Sequence, residues 1–586
     1  MVLPYLTAIK SKAQMQDKFL GLNMRETCAP GQFTRMWNMS GDNYPYLSPR
    51  RKRSFVRSLD TSNGYGLLGG EALAWISGGH LYYDGQAICD VTSTAPQLVR
   101  MGAYLIVWPD RIVYNTHTNE LSQMDASYSF AGVTIRPCML SGQEYEYTAS
   151  DTAPESPKQY ACWYNTLTGG FYQWLGDEWQ GIDTVYSRIE GPDLGKEFRD
   201  YDVVKLSGFP YDEYNLEAAT VYARGDDYIV IATGTFRDYQ ELGSVSVSRT
   251  APDMDMICEC QNRLWGCSSE KHEIYGSKLG DPTNWHSFLG ISTDSYAATV
   301  GSEGAFTGLN TYMGYVHFWK EDRCHRLYGT RPENYQLLEI PIRGVKQGCE
   351  KSLCVVGGVL YYVSRDGVMA FDGSSAVNIG DVLGDMRLNG AVCGAHGDKL
   401  YLSADISWPG LDTDTFGEFG VLPIEDGAGL TFALDTSKGL WHIEDDNRAV
   451  AYASTAEGDF LLGNDGGLWL IDGGESKYNA IGIHEEEDFI WAAETGDNGQ
   501  ESPNKLWLKR LTFRVRADRG ARMWIDIQYD SDGRWHRALA YEAHGKRSET
   551  LKLRTMRCDH FRLRFYGIGM TEILSMAKTY DEGSER

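Results

Sequence analysis

The chain has 586 residues, beyond the size at which a single hydrophobic core stops growing, so two or three structural units are expected. Hydrophobic residues make up 42% and aromatics 12%, with 36 Tyr and 16 Trp, a balance that favours strands over helices. The formal net charge of −25 excludes a surface made to grip nucleic acid by neutralising phosphates, and the twelve Cys, spread from Cys28 to Cys558 without dense pairing, exclude a small disulfide scaffold and fit assembly in a reducing cytosol.

In chain order, the N-terminus lacks a long apolar run behind a basic start, and no stretch approaches the roughly 18 apolar residues that span a bilayer. Neither a standard export signal nor membrane insertion is expected. Residues 1–60 are rich in Met, Asn, Pro and Arg with no sustained period, which reads as an extended docking arm. Its run Arg50-Arg51-Lys52-Arg53 stands out in an acidic chain. The options for it are a DNA phosphate contact, a solvated turn, or subunit docking on a carboxylate-rich neighbour, and docking is preferred because it supplies both orientation and faster association.

A loose repeat follows, in which an aromatic-rich strand, a polar turn and a second strand often close on Gly. Its first two copies are HLYYDGQAICDV at 80–91 and YLIVWPDRIVYN at 104–115, and they define a first propeller segment at 61–127. The spacing is then interrupted by an inserted β domain, 128–253, with strand signals such as TVYSRIEG at 184–191 and TVYARGDDYIVIATG at 220–234, in the manner of a small barrel or sandwich. Five more copies occupy 254–479: RLWGCSSEKHEIYG at 263–276, YVHFWKEDRCHRLYG at 315–329, VLYYVSRDGVMAFDG at 359–373, KLYLSADI at 399–406 with LTFALDTSKGLWHI at 430–443, and FLLGNDGGLWLIDG at 460–473. Their starts lie about 40 to 60 residues apart, which suits four-stranded blades. Trp265, Trp319, Tyr361, Trp441 and Trp469 recur at equivalent places and read as blade-packing residues. From 480 to 586, LTFRVRA and MWIDIQY alternate apolar with polar residues, as half-buried strands of a C-terminal β-sandwich do. The fold class expected is all-β: a β-propeller of six to eight blades with an inserted small β domain and a C-terminal β-sandwich.

Motifs for chemistry are near-misses. GPDLGKEF at 191–198 resembles a phosphate loop, but its glycines are four apart and Glu197 stands where a magnesium-binding Ser or Thr belongs. SRDGVMAF at 364–371 echoes a propeller Asp-box that lacks one residue. Cys258, Cys260 and Cys267 match no common zinc spacing, HEEED at 484–488 lacks the second His of a zinc-protease helix, and Asp530-Ser531-Asp532-Gly533 suits a hairpin turn better than a calcium loop. Nothing in the sequence selects a pair of carboxylates for glycoside cleavage. No catalytic, cofactor-binding or metal residue is expected, no cofactor, and no enzymatic activity.

Phe19-Leu20-Gly21-Leu22-Asn23 with GQFTRMWNMSGDNYPYLSPRRKR at 31–53, the stretch from DPTNW to ENYQL at 281–338, VLYYVSRDGVMAFDG, and the ending RCDHFRLRFYGIGM with YDEGSE resemble bacteriophage tail nozzle, or head-to-tail stabilisation (tail hub), proteins. The resemblance covers most of the chain and is one of texture and order rather than of a short diagnostic site. It implies a virion protein of the tail, assembled in the host bacterial cytoplasm. Such a subunit forms a homo-oligomeric ring, commonly six-fold, below the portal and adaptor, and seals and then conducts genomic DNA that passes its lumen without specific binding. The alternatives are a tail-tip receptor- or glycan-binding protein, which predicts exposed aromatics and carboxylates on the inserted or C-terminal domain, and a propeller glycoside hydrolase.

Overall fold

The computed structural model describes residues 11–582 except 26, 183–184, 234–236, 408–426, 481, 483, 500–505 and 546–547. The ends of three stretches quoted above, 184, 234 and 583–585, lie outside the described residues. Among those described, the only α-helix is the single turn Leu194–Glu197, and the rest of the regular structure is strand with four short 3-10 turns. The chain divides into two compact units, one of 1–96, 318–325 and 339–586 and one of 97–317 and 326–338.

The fold is all-β and propeller-like, the described residues forming six four-stranded blades at 66–90, 97–123, 256–299, 308–340, 354–378 and 387–445 and a five-stranded one at 449–470 that takes two strands from elsewhere in the chain. In the first unit the leading strands of successive blades lie side by side: Cys354–Val356 on Arg387–His396, that strand on Ala449–Thr455, and that one on Gly66–Leu68. The second unit repeats the arrangement with Gln97–Met101, Met256–Cys260 and Gly308–Tyr312. Leading strands can approach this closely because small residues face their neighbours. A Cβ on Gly69 would sit 2.0 Å from the Ser454 carbonyl oxygen, inside contact distance of backbone that cannot swing away. Between blades the contacts are large and apolar. Trp75, Leu73, Phe460, Leu462 and Leu468 form one buried cluster and Ile106, Trp108, Leu264 and Trp285 another, each such side chain contributing about 1.5–3 kcal/mol by burial.

The blade at 449–470 supplies three strands, and its fourth is Ser54–Ser58, paired antiparallel with Gly467–Leu470. The rest of the N-terminal segment is equally engaged. Lys12–Gln16 pairs with Thr571–Glu582, and Phe33–Trp37 pairs with Ile490–Thr495, so these strands belong to the two sheets of the C-terminal sandwich. Those sheets meet through inward rings, Phe513 and Phe565 lying edge to face at 5.5 Å. In place of a free arm, the described residues up to 60 form five strands, Lys12–Gln16, Phe33–Trp37, Met39–Ser40, Ser48–Pro49 and Ser54–Ser58, woven into the first unit. Short runs such as FTRMW lack enough period to announce a strand, because their pairing partners lie more than 400 residues away.

The insertion is a closed barrel. Ala126–Cys138 pairs with Tyr239–Arg249 on one side and Tyr186–Glu190 on the other. Val203–Ser207 and Tyr228–Ala232 follow, and the short strands Ala219–Thr220 and Ala223–Arg224 join these two edges. Val133, Ile135, Ile189, Leu206, Ile229 and Val247 fill the interior, each from an inward position of an alternating strand. Gly195, in the near-miss phosphate loop, packs where a Cβ would meet the Gly225 carbonyl at 1.8 Å, so its role here is close approach of two backbone segments. Between the first two barrel strands the chain makes a separate four-stranded sheet, Tyr147–Ser150, Cys162–Asn165, Phe171–Leu175 and Glu178–Gly181.

Candidate functional site

The basic run points inward at two of its four positions. Arg53 is buried, with Nη1 donating to Asp445 Oδ2 at 2.7 Å and Nη2 to Glu444 Oε2 at 2.7 Å. Arg50, also buried, takes Glu486 with two donors at 2.6 and 2.7 Å and reaches Asp445 at 3.0 Å. Lys52 pairs with Asp488 at 2.6 Å on the surface, and Arg51 is exposed. The expectation that Arg50, Arg51, Lys52 and Arg53 together dock a neighbouring subunit is therefore corrected at Arg50 and Arg53: the carboxylates they meet belong to the same chain, in the HEEED stretch and at the end of the strand Leu440–Asp445.

Local geometry makes this network possible. Thr431 pairs with Asp445 and Phe432 with Ile443, so Glu444 is an extra residue on its strand, a β-bulge. In a regular strand two consecutive side chains face opposite ways; the bulge lets both carboxylates reach one guanidinium. The Tyr401 hydroxyl donates to Glu444 Oε1 at 2.9 Å, and burial with that carboxylate beside it holds the phenol far above its ordinary pKa. Burial alone would weaken the charge on Arg53, yet Asp445 and Glu444 outweigh it and its pKa lies above the usual value.

Beside the network is a polar pit of about 230 Å³. His396 spans two blades there, with Nδ1 2.7 Å from Asp459 Oδ2 and Nε2 3.1 Å from Asp472 Oδ1. The Asp459 hydrogen bond raises the pKa of the imidazole against the opposing effect of burial, and Asp472 adds to the rise. Lys399 pairs with Asp42. Burial pushes that carboxyl up, Lys399 pulls it down further, and the net value is below the ordinary range. Asp42 is thus held as a carboxylate and is unsuited to donating a proton to a leaving group.

A second feature lies on the small sheet of the insertion. Strand alternation and the cross-strand pairs Trp163 with Tyr172 and Trp174 with Trp179 put these four rings on one face. Trp163 and Tyr172 are stacked at 5.0 Å, Trp163 and Trp179 lie 5.5 Å apart, and Trp174 meets Trp179 edge to face at 5.4 Å. Trp163 is the buried floor, its indole N–H donated to Ser150 Oγ at 3.0 Å, while Tyr172, Trp174 and Trp179 are half-buried with Asp177 and Glu178 exposed in the adjoining turn. The opposite face carries Cys162 and Phe171, buried with Val185, so the sheet has its own small core and its aromatic side is a surface. The repeat aromatics behave otherwise: Trp265, Trp319, Tyr361 and Trp441 are buried, and Trp469 is half-buried against the edge of Phe55 at 5.2 Å.

The remaining sequence motifs are structural. The Ser364 hydroxyl accepts from Asp366 N–H and donates to the Gly367 carbonyl, both at 3.1 Å, which builds the turn at SRDG. Asp530 accepts from the backbone N–H groups of Asp559 and His560. Cys258 and Cys260 meet different partners, Thr311 Oγ1 at 3.9 Å and the Gly314 carbonyl at 3.5 Å. Among the described residues no group of three His, Cys, Asp or Glu side chains is placed to hold a metal, and no helix is long and apolar enough to cross a membrane.

No protein-family model and no curated protein matches the chain. Solved structures that it is similar to include an exo-β-1,3-galactanase from Phanerochaete chrysosporium with bound β-1,3-galactotriose, at 8% identity over 55% of this chain and 94% of that one, with a TM-score of 0.19. Another is a glycoside hydrolase family 43 arabinoxylan arabinofuranohydrolase from Bacillus subtilis in complex with cellotetraose, at 8% identity over 56% and 95%, TM-score 0.16. A third is the extracellular domain of a hybrid two-component system from B. thetaiotaomicron, at 8% over 92% and 94%, TM-score 0.16. The expectation that the chain is not an enzyme is corrected by these neighbours, two of which are glycoside hydrolases. Identities and TM-scores this low assign no activity or substrate to this chain.

Proposed function

We propose that this chain is a carbohydrate-binding component of a bacteriophage tail that engages glycan on the aromatic face of the 147–181 sheet. The observation that carries this reading is the grouping of Trp163, Tyr172, Trp174 and Trp179 on one side of a sheet that already has a core on the other. Half-exposed indole rings give flat apolar area at little cost in side-chain order, and the apolar face of a pyranose stacks on such rings while its hydroxyls meet a polar rim. Asp177, exposed in the turn between the last two strands, stands at the edge of that face. Placement in a phage tail rests on the resemblance of 19–53, 281–338, 359–373 and the closing strands.

Titration of the protein with host surface polysaccharides is expected to give saturable binding. Trp174→Ala and Trp179→Ala should each weaken it by about 2 kcal/mol, roughly 30-fold, with the unfolding transition little changed. Binding that ignores both substitutions would sink the reading. Assay of the same mixtures for newly released reducing ends decides whether the chain also cleaves what it binds.

A second reading, the oligomeric nozzle or hub subunit below the portal and adaptor that conducts genomic DNA, is favoured by an exposed apolar loop at 286–291, where Phe288 is 57% exposed. Light scattering on the purified protein, alone and with the portal–adaptor complex, is expected to give a ring mass, six-fold on the resemblance. A strict monomer of 65.7 kDa under both conditions would remove this reading and leave the glycan reading standing.

A further inference from the structure

The four rings on the aromatic face of the 147–181 sheet form one continuous row. Tyr172 stacks on Trp163 at 5.0 Å, Trp163 stands 5.5 Å from Trp179, and Trp179 meets Trp174 at 5.4 Å. Gly181, opposite Tyr172, brings no side chain over that ring, and Trp179 lies on the edge strand of the sheet. The Trp163 indole N–H is taken by Ser150. Among the described residues, the indole N–H groups of Trp174 and Trp179 and the Tyr172 hydroxyl have no hydrogen-bond partner in the chain. Three polar tips are therefore free at the margin of an apolar row, ready to meet the hydroxyls of a ligand whose body stacks on the rings.

What the face lacks is positive charge. Thr148 pairs with Trp163 and Ser150 with Asn165, so the remaining side chains on this side of the strands are Thr148, Ser150 and Asn165, all neutral. Across 145–182 the sequence holds five carboxylates, Glu146, Asp151, Glu155, Asp177 and Glu178, all exposed, against a single cation, Lys158, which lies in the connection between the first two strands. Recognition of a carboxylate, sulfate or phosphate on a sugar rests on Arg or Lys donors that neutralise it. No strand position of this face carries one. An anionic sugar laid on the rings would meet Asp177 at the edge with no cation to compensate, and like charges brought together across an interface count against binding. The hydroxyls of an uncharged sugar meet the same Asp177 as donors.

We propose that this face selects uncharged glycan: it takes the neutral hexopyranose units of a polysaccharide and turns away chains that carry uronate, sulfate or phosphate groups. The inference rests on the glycan reading above and adds the chemical class of the ligand. Stacking and hydrogen bonds to neutral hydroxyls involve no ion pair, so the binding is insensitive to salt. The net charge of −25 works in the same direction at longer range, since it lowers the concentration of polyanions near the surface.

The test is affinity electrophoresis of the full-length protein and of Trp174→Ala in gels holding a neutral polymer (dextran, galactan or mannan) or an acidic one (polygalacturonate, hyaluronate or dextran sulfate), with circular dichroism as the check on folding. The expected result is retardation by at least one neutral polymer and by none of the acidic ones. That retardation should weaken roughly 30-fold in Trp174→Ala and change less than about twofold between about 0.05 and about 0.5 M salt. Asp177→Lys, which places a cation at the edge of the face, should gain binding to polygalacturonate that fades as salt rises. Acidic polymers held through Trp174 as tightly as the neutral ones, or more tightly, overturn the selectivity and leave the glycan reading standing. Polymer binding that ignores Trp174→Ala overturns both, and so does a folded protein that binds no polymer of either kind.

Discussion

Arg53→Ala is expected to cost the first unit ~3–5 kcal/mol, because it leaves Glu444 buried without its cation and Asp445 with Arg50 alone. Urea unfolding followed by tryptophan fluorescence should show the transition of that unit move to lower denaturant, with that of the barrel unchanged. Arg53→Lys should recover only part of the loss, since a single ammonium cannot present two directed donors to two carboxylates. Arg51→Ala, at the exposed position, should stay within about 0.5 kcal/mol of the parent. A change below about 1 kcal/mol for Arg53→Ala would mean that water reaches the carboxylates in the folded state.

The second large effect is on pH dependence. His442 is buried, a Cβ on Gly41 would lie 3.0 Å from its Cε1, and burial, with Lys399 adding, pushes its pKa down to about 4. Asp42 and Asp435 oppose that shift without reversing it. In the unfolded chain the imidazole titrates near pH 6.5. Between those values the unfolded state binds a proton that the folded state refuses, so stability is complete above about pH 6.5 and falls as the pH drops towards 4, by ~3 kcal/mol for this group. His317 is depressed to about 4 in the same direction, by burial and then Arg326. His442→Gln should flatten the acid limb of a stability-against-pH curve between 6.5 and 4, and an unchanged limb would show that His442 is not the group responsible. His396 works the other way: its pKa is raised, so the stability it contributes is present at low pH and is lost as the pH rises through that value.

The blades were legible because their middle strands carry the signal. Runs such as YVHFWK and VLYYVS are continuous apolar segments flanked by Gly-containing turns, and seven copies of the pattern correspond to seven blades. The first copy, at 80–91, is out of phase: it covers the outer hairpin of its blade, because the inner strands Gly66–Leu68 and Ala74–Ser77 lie in a Gly-rich stretch with little period. The final strand of the last blade was illegible for a different reason. Ser54–Ser58 follows RRKR in sequence, and the charges masked a strand whose partner lies more than 400 residues on, at the Gly467 to Ser58 pair and its neighbours.

At the charged site, both halves were conspicuous, RRKR as the basic run and HEEED as an acidic one. Their complementarity was a usable signal, but the acidic partner was sought on another molecule rather than 436 residues along the same chain, as Arg50 and Glu486 require. Glu444 and Asp445 gave no signal, since only the bulge makes two adjacent carboxylates face one cation. The aromatic face of the insertion was not read from the sequence: CWYN, FYQWL and EWQG carry the rings, but which rings share a side depends on register, and register is set by pairing.

The strand Ser54–Ser58 also fixes an order of events in the cell. The strand it must join, Gly467–Leu470, is made about 400 residues later, a wait of roughly 20–80 s at 5–20 residues per second. Lys12–Gln16 waits longer still, for Thr571–Glu582. Throughout that interval these two strands lack the partners they have in the fold, and unpaired strand edges pair readily with whatever strand comes near. Arg50, Arg51, Lys52 and Arg53 stand directly before the waiting strand, and a charged flank of this kind disfavours pairing between like chains.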